Sequence, residues 1–201
     1  MPEAVRIHAV QILSADKYTL RKTTFDLRRR DGNWQTLTRE TYDRGNGAAI
    51  LLYDPSRGTV LLTRQFRYPA YENGHKAPLI EVVAGMLDDG SPEETIRREA
   101  EEEAGYRLKA VRRVFDAFMS PGAVTERLAF FVAEYSAAGR VSAGGGLEAE
   151  GEDIELLEPT LDSALAMVAT GEICDAKTIM LLQYAKLHDL LQSGPVPPSP
   201  A

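Results

Sequence analysis

The sequence predicts a mixed α/β fold, not a doubly wound one, preceded by a small antiparallel sheet. Three observations predict it. Strand-period segments outnumber helical ones and mostly follow each other directly. Residues 1–45 read as strands alone. Gly45-Asn46-Gly47 then punctuates the chain before the first strongly apolar strand. With 201 residues, 44% of them hydrophobic and 26% charged, the chain has the length of one domain plus an appendage and enough apolar content to bury a core.

Val5 to Leu13 and Tyr18 to Leu27 alternate as antiparallel strands, and Asp31-Gly32-Asn33 turns the chain into a third, Trp34 to Tyr42. Trp34 either packs this small sheet or stacks on a base, and packing is the expectation. The domain expectation is an N-terminal sheet over residues 1–45, a main domain over 46–193 and a disordered tail over 194–201. That tail carries four prolines and cannot hold a helix. Within the main domain, Ala48 to Tyr53, Val60 to Phe66, Leu79 to Ala84, Val111 to Met119 and Leu128 to Tyr135 read as strands. Helices are expected over Ser91 to Ala104, Leu161 to Thr170 and Ala176 to Gln192. Ser142 to Gly146 opens what reads as a mobile acidic loop.

Several classes are excluded. No apolar run approaches the roughly 18–20 residues that span a bilayer, and the first residues contain no apolar signal segment. The lone cysteine, Cys174, reads as a plain helix-end thiol without metal-ligand neighbours, so a reducing cytoplasm is the expected setting. The formal net charge of −7 removes the basic footprint of a nucleic-acid binder. An acidic chain still binds phosphates where a divalent cation reverses the local sign. His8, His75 and His188 form no visible constellation.

The informative segment is the helix beginning at Ser91. Ser91 caps it, Pro92 suits its first position, Glu94 closes a capping box and Gly105 stops it. Ile96, Ala100 and Ala104 recur every four residues and face the core. At about 100° per residue, Glu99 and Glu103 fall beside that stripe, Glu94, Arg98 and Glu101 lie on the solvated side, and Glu102 lies between. Two carboxylates one turn apart repel by roughly a few tenths of a kcal/mol in water and by more when half buried. A hard divalent cation compensates them. A glutamate-rich surface helix is the plain alternative that the pattern alone leaves open.

The whole stretch, Gly85-Met86-Leu87-Asp88-Asp89-Gly90-Ser91-Pro92-Glu93-Glu94-Thr95-Ile96-Arg97-Arg98-Glu99-Ala100-Glu101-Glu102-Glu103-Ala104-Gly105-Tyr106, resembles the signature of the Nudix hydrolases. It departs by one residue of spacing between Gly85 and Arg98, and by Ser91 where that signature has an acidic residue. Arg64-Gln65-Phe66-Arg67, Met119-Ser120-Pro121-Gly122-Ala123-Val124-Thr125-Glu126, Gly144-Gly145-Gly146, Glu152-Asp153-Ile154 and Thr170-Gly171-Glu172-Ile173 are similar to the GDP-mannose pyrophosphatase branch, kin of the ADP-ribose pyrophosphatases.

The resemblance implies an α/β/α sandwich with a mixed sheet, and magnesium (or manganese) held by Glu99, Glu103, Glu152 and the Ala84 carbonyl. Glu102 would be a further ligand or a neighbour of the ligands. It implies catalytic roles for Glu152, Glu103 and Glu102, with Glu150 as the alternative loop carboxylate. Substrate contacts would come from Arg39, Glu40, Arg67, Ala84, Gly85, Met86, Glu103, Glu126 and Lys177. It also implies a homodimer whose N-terminal strands cross the two-fold axis. The substrate class is a nucleoside diphosphate sugar, with GDP-mannose giving GMP and mannose 1-phosphate. ADP-ribose hydrolysis and an inactive nucleotide-binding module are the alternatives. Neither nucleic acid nor membrane is an expected partner.

Overall fold

The computed structural model describes residues 4–87 and 90–191. The expected tail, residues 194–201, lies outside the described residues, as do Asp88 and Asp89 of the signature. The chain forms two compact units, Met1–Asn46 with Phe118–Arg127, and Gly47–Ala117 with Leu128–Ala201.

In the smaller unit, β1 (Val5–Ala15), β2 (Thr19–Arg28) and β3 (Trp34–Asp43) form a three-stranded antiparallel sheet in sequence order. Irregularities between Ile7 and Ala9 and between Ile12 and Ser14 interrupt the β1–β2 register. The first one matters because it resets the two-residue alternation. Val5, Ile7, Val10 and Ile12 oppose Leu27, Phe25, Thr23 and Arg21, so all four aliphatics share one face, and they are 42–66% exposed. Trp34 packs within this sheet, with the Arg6 guanidinium 3.9 Å from its ring centroid.

Phe118–Arg127, read from sequence as part of the main domain, belongs with this unit. It runs beside the end of β3, where the Tyr42 N–H donates to the Ala123 carbonyl at 2.8 Å and the Thr125 N–H donates to the Tyr42 carbonyl at 3.1 Å. A pairing across about eighty positions leaves no mark on local periodicity.

The larger unit contains β4 (Gly47–Asp54), β5 (Thr59–Gln65), α1 (Tyr68–Glu72), β6 (Leu79–Glu81), β7 (Val83–Met86), α2 (Pro92–Glu102), β8 (Arg112–Phe118, its last residue in the smaller unit), β9 (Arg127–Glu134, its first residue likewise), β10 (Glu155–Leu157), α3 (Leu161–Thr170) and α4 (Ala176–Leu187). The strand order is β10-β5-β4-β9-β8, with β6 on β5 and β7 on β4. β4 and β9 are parallel and β4, β5 and β7 antiparallel, which makes the sheet mixed. Every residue of β4 is buried, so both faces of the sheet are covered. Ala48, Ile50 and Leu52 pack with Ile96 and Ala100 of α2, and with Ala104 just beyond its end, in one core cluster. α4 packs on β4 and β6, and α3 on β5.

The expected single strand Leu79 to Ala84 is two. It breaks at Val82, whose N–H donates to Thr178 Oγ1 at 2.8 Å instead of extending a ladder. α1 and β10 carry no periodic signal at five and three residues.

The glycine run also differs from expectation, for it is docked on the end of α2. The Gly145 N–H donates to the Glu103 carbonyl at 2.9 Å, and the Val141 N–H donates to the Gly105 carbonyl at 2.8 Å. These bonds satisfy carbonyls that the helix end leaves open. Gly144, at φ 70°, could carry no side chain, because a Cβ there would stand 2.5 Å from the Glu103 carbonyl oxygen. Cys174 is likewise not isolated, since its Sγ lies 3.8 Å from Nδ1 of His75.

Candidate active site

The site is built on α2 and the strand facing it. Ser91 caps the helix as its sequence requires. Its Oγ accepts from the Glu94 N–H at 3.2 Å, and its own N–H donates to the Glu94 carboxylate at 2.8 Å. That accounts for serine at a position where the signature has an acid. Ile96 and Ala100 anchor the buried face, and this orientation carries Glu103 inward to 2% exposure. Glu103 Oε2 is buried without a hydrogen-bond partner among the described residues. Burial, with the charges of Glu99 and Glu152 adding to it, pushes its carboxyl up to about 8.

Glu99 lies one turn earlier, mostly buried, and burial raises its carboxyl too, partly offset by Arg98 at 3.2 Å. Gly85 on β7 makes room for it. A Cβ at Gly85 would stand 2.3 Å from Glu99 Oε1, so only glycine lets this carboxylate lie against the strand. Ala84, the adjacent residue, pairs with Ala49 of β4. Glu102 stays nearer solvent, 3.9 Å from Arg98.

Glu152 approaches from the loop behind the glycine run. Its Oε2 accepts from the Leu147 N–H at 3.0 Å, and the Ile154 N–H donates to the Gly145 carbonyl at 3.1 Å. The loop thus hangs from the end of α2, which aims Glu152 at the charges of Glu99 and Glu103. The Glu150 side chain lies outside what is described.

Among the described residues, no three Asp, Glu, His or Cys side chains are gathered tightly enough to enclose an ion by themselves. Magnesium does not require that, because it keeps several waters and takes one or two carboxylates plus substrate phosphates. The orphaned Glu103 oxygen and the all-oxygen donor set fit such an ion, and Glu99, Glu103, Glu152 and the Ala84 carbonyl, the expected ligands, are the groups that could hold it.

Arg67 and Lys177 meet at a residue the sequence analysis missed. Glu81, 3% exposed at the end of β6, accepts from Arg67 Nε at 2.7 Å and from Lys177 Nζ. Lys177 also reaches Asp175 at 3.0 Å. The two cations hold the Glu81 carboxyl below its ordinary range against the opposing effect of burial. No local pattern marks this cluster, whose members are 14 and 96 positions apart.

Glu99, Glu102, Glu103, Glu152, Arg67, Ala84, Gly85, Met86 and Lys177 therefore all belong to the larger unit. Arg39, Glu40 and Glu126 belong to the smaller one. Arg39 opposes Thr23 and so shares the face of the β1 aliphatics, while Glu40 opposes Lys22 on the other face. Glu126 is 3.5 Å from Arg44.

The candidate site is thus a capped glutamate helix with a buried carboxylate oxygen unpartnered among the described residues, packed on a glycine of a mixed sheet. A family model described as the NUDIX domain matches residues 43–182, and the chain belongs to the Nudix hydrolase family. A second model, described as the GDP-mannose pyrophosphatase NudK N-terminal domain, matches residues 4–42. Among curated relatives, a GDP-mannose pyrophosphatase of Pectobacterium atrosepticum is 51% identical over 195 residues, covering 96% of this chain and 100% of that one. One of Citrobacter koseri is 48% identical over 192 residues, covering 95% and 100%. The crystal structure of an ADP compounds hydrolase superposes with a TM-score of 0.69 at 17% identity, covering 92% of this chain and 95% of that one, and shows the same fold.

Two predictions follow from Glu103 and Gly85. The Glu103 carboxyl is raised from 4.5 to about 8 in the folded chain. Its stabilising contribution is therefore complete below about 4.5 and is lost as pH rises through about 8. The melting temperature of the metal-free protein should fall across that window, and should fall less in Glu103→Gln. A divalent cation, which displaces the proton, should restore the loss at the alkaline end and do little at the acidic end. Gly85→Ala should lower urea stability by about 1–3 kcal/mol, because the mostly buried Glu99 side chain must move from its Cγ outward. Its affinity for manganese, read by calorimetry, should fall about 10- to 100-fold.

Proposed function

We propose that this chain hydrolyses the diphosphate bridge of GDP-mannose to GMP and mannose 1-phosphate, with magnesium as its metal and manganese as the substitute. The observation that carries this reading is the buried Glu103 carboxylate, whose Oε2 has no hydrogen-bond partner among the described residues and which a cation would satisfy. The substrate is drawn from the curated relatives' names together with the matched N-terminal domain.

In this reading Glu99, Glu103 and the Ala84 carbonyl hold the metal, and Glu102 tunes it from beside them. The metal, when bound, neutralises diphosphate charge and acidifies a water. Glu152, held beside the site by its own loop, takes the proton of the attacking water. Arg67 and Lys177 bind diphosphate oxygens, as guanidinium and ammonium donors do. The backbone of Ala84, Gly85 and Met86 lines the substrate, and Glu103 would face it across the metal site.

The N-terminal sheet serves a homodimer. Four exposed aliphatics on one face of β1 form a surface that a monomer does not leave open to water, and a second copy of the chain offers the same face in return. Arg39, Glu40 and Glu126 then contact the sugar nucleotide bound in the other subunit. A single cysteine and a nucleotide-sugar substrate suit a cytoplasmic setting.

Turnover with magnesium should be compared for GDP-mannose, ADP-ribose, GDP-glucose and ADP-glucose, with products separated by chromatography. GDP-mannose should be preferred, giving GMP and mannose 1-phosphate. Glu103→Gln should lower kcat/KM at least about a hundredfold, the scale of a group acting in the transition state. Ile7→Glu with Ile12→Glu should halve the mass measured by light scattering. Preference for ADP-ribose would reassign the substrate, and no turnover with metal bound would leave a binding module.

A further inference from the structure

We propose that Glu81 is a positioning residue, holding Arg67 and Lys177 at a fixed spacing as a two-cation clamp for a diphosphate. This rests on the reading of the site given above. Each oxygen of the Glu81 carboxylate serves a different cation, Oε2 accepting from Arg67 Nε and Oε1 from Lys177 Nζ. A single rigid carboxylate therefore sets the separation of two charges carried on elements far apart in sequence.

The donors left over suit an anion. The Arg67 bond uses Nε, so its two terminal nitrogens remain for phosphate oxygens, and the side chain is 39% exposed. Lys177 has three N–H donors and gives two of them to Glu81 and Asp175. The charges of Arg67, Glu103 and Glu152 act on one another, so the clamp lies near the proposed metal ligand Glu103 and the loop carboxylate Glu152.

The surrounding framework keeps Glu81 still. Thr63 opposes it on β5, and Thr63 Oγ1 donates to its carbonyl at 3.2 Å. The next residue, Val82, donates to Thr178 Oγ1, which donates in turn to Asp175 Oδ2 at 2.6 Å. The start of α4, carrying Lys177, is thereby tied to the segment that continues as Val83-Ala84-Gly85. The clamp and the metal-holding carbonyl thus share one short stretch of chain. Stability alone is a poor reason for this cluster, since buried ion pairs are weak stabilisers compared with apolar packing. A partly exposed arginine held at the site by a buried carboxylate has a use in binding.

The test is a mutant cycle read by binding and by turnover. Inorganic pyrophosphate with magnesium is titrated calorimetrically into the full chain, and kcat and KM are measured for GDP-mannose. Glu81→Gln, which keeps the shape and removes the charge, should weaken pyrophosphate at least about tenfold and raise KM more than it lowers kcat. In an Arg67→Met, Lys177→Met background, the same change should cost less than about twofold, because its targets are gone. Equal losses in both backgrounds, or no loss in the parent, would overturn the proposal. Should Glu81→Gln fail to fold, Glu81→Asp gives a second reading, because it keeps the charge but falls one methylene short of spanning both cations. Pyrophosphate binding at the parental level in that variant would also overturn it. A parent that binds pyrophosphate through the clamp yet turns over no sugar nucleotide would defeat the functional reading and leave the clamp standing.

Discussion

A carboxylate taken out of water without a partner is among the costlier things a fold can contain, and Glu103 is one. The stripe of Ile96, Ala100 and Ala104 turns Glu103 inward, and Gly85 lets Glu99 press against the same strand. The glycine run caps the helix at the Glu103 carbonyl and brings Glu152 to the same place. Each of these arrangements adds negative charge to one small volume. In the absence of a cation the raised Glu103 carboxyl holds a proton instead. In the proposed reading the site is poised between proton and metal, at a cost met by the packing of α2.

The positive side of the site is arranged differently. Arg67 and Lys177 are balanced by Glu81 and Asp175, so their charges are fixed in place without drawing the neighbouring glutamates into ion pairs. Had Arg67 instead paired with Glu103, the carboxylate would have no need of a metal. In the proposed reading, these separate counterions keep the anion-binding and cation-binding halves of one site apart.

Much of this was legible in the sequence because its causes are local. The capping box at Ser91 and the four-residue stripe that begins at Ile96 act within a turn or two, and they appear where the sequence puts them. The inward tilt of Glu103 also follows from that stripe. What was hidden acts at long range. The break between β6 and β7 is made by Thr178, and Phe118–Arg127 is drawn to Tyr42, about eighty positions away in the same unit. The contact of Cys174 with His75 spans 99 positions. Glu81 sat in an ordinary strand pattern, and its partners lie beyond any window of periodicity. The 142–146 segment reads as the opening of a mobile loop, whereas Gly144 serves close approach to a helix end.

The central claim is that Glu99 and Glu103 share a divalent cation with the Ala84 carbonyl. Crystals grown with manganese, and an anomalous-difference map recorded at its absorption edge, test this most directly. The account predicts a peak in contact with the carboxylates of both glutamates and with the Ala84 carbonyl oxygen. A peak elsewhere on the chain, or Glu103 still without a ligand in crystals that hold manganese, would contradict it.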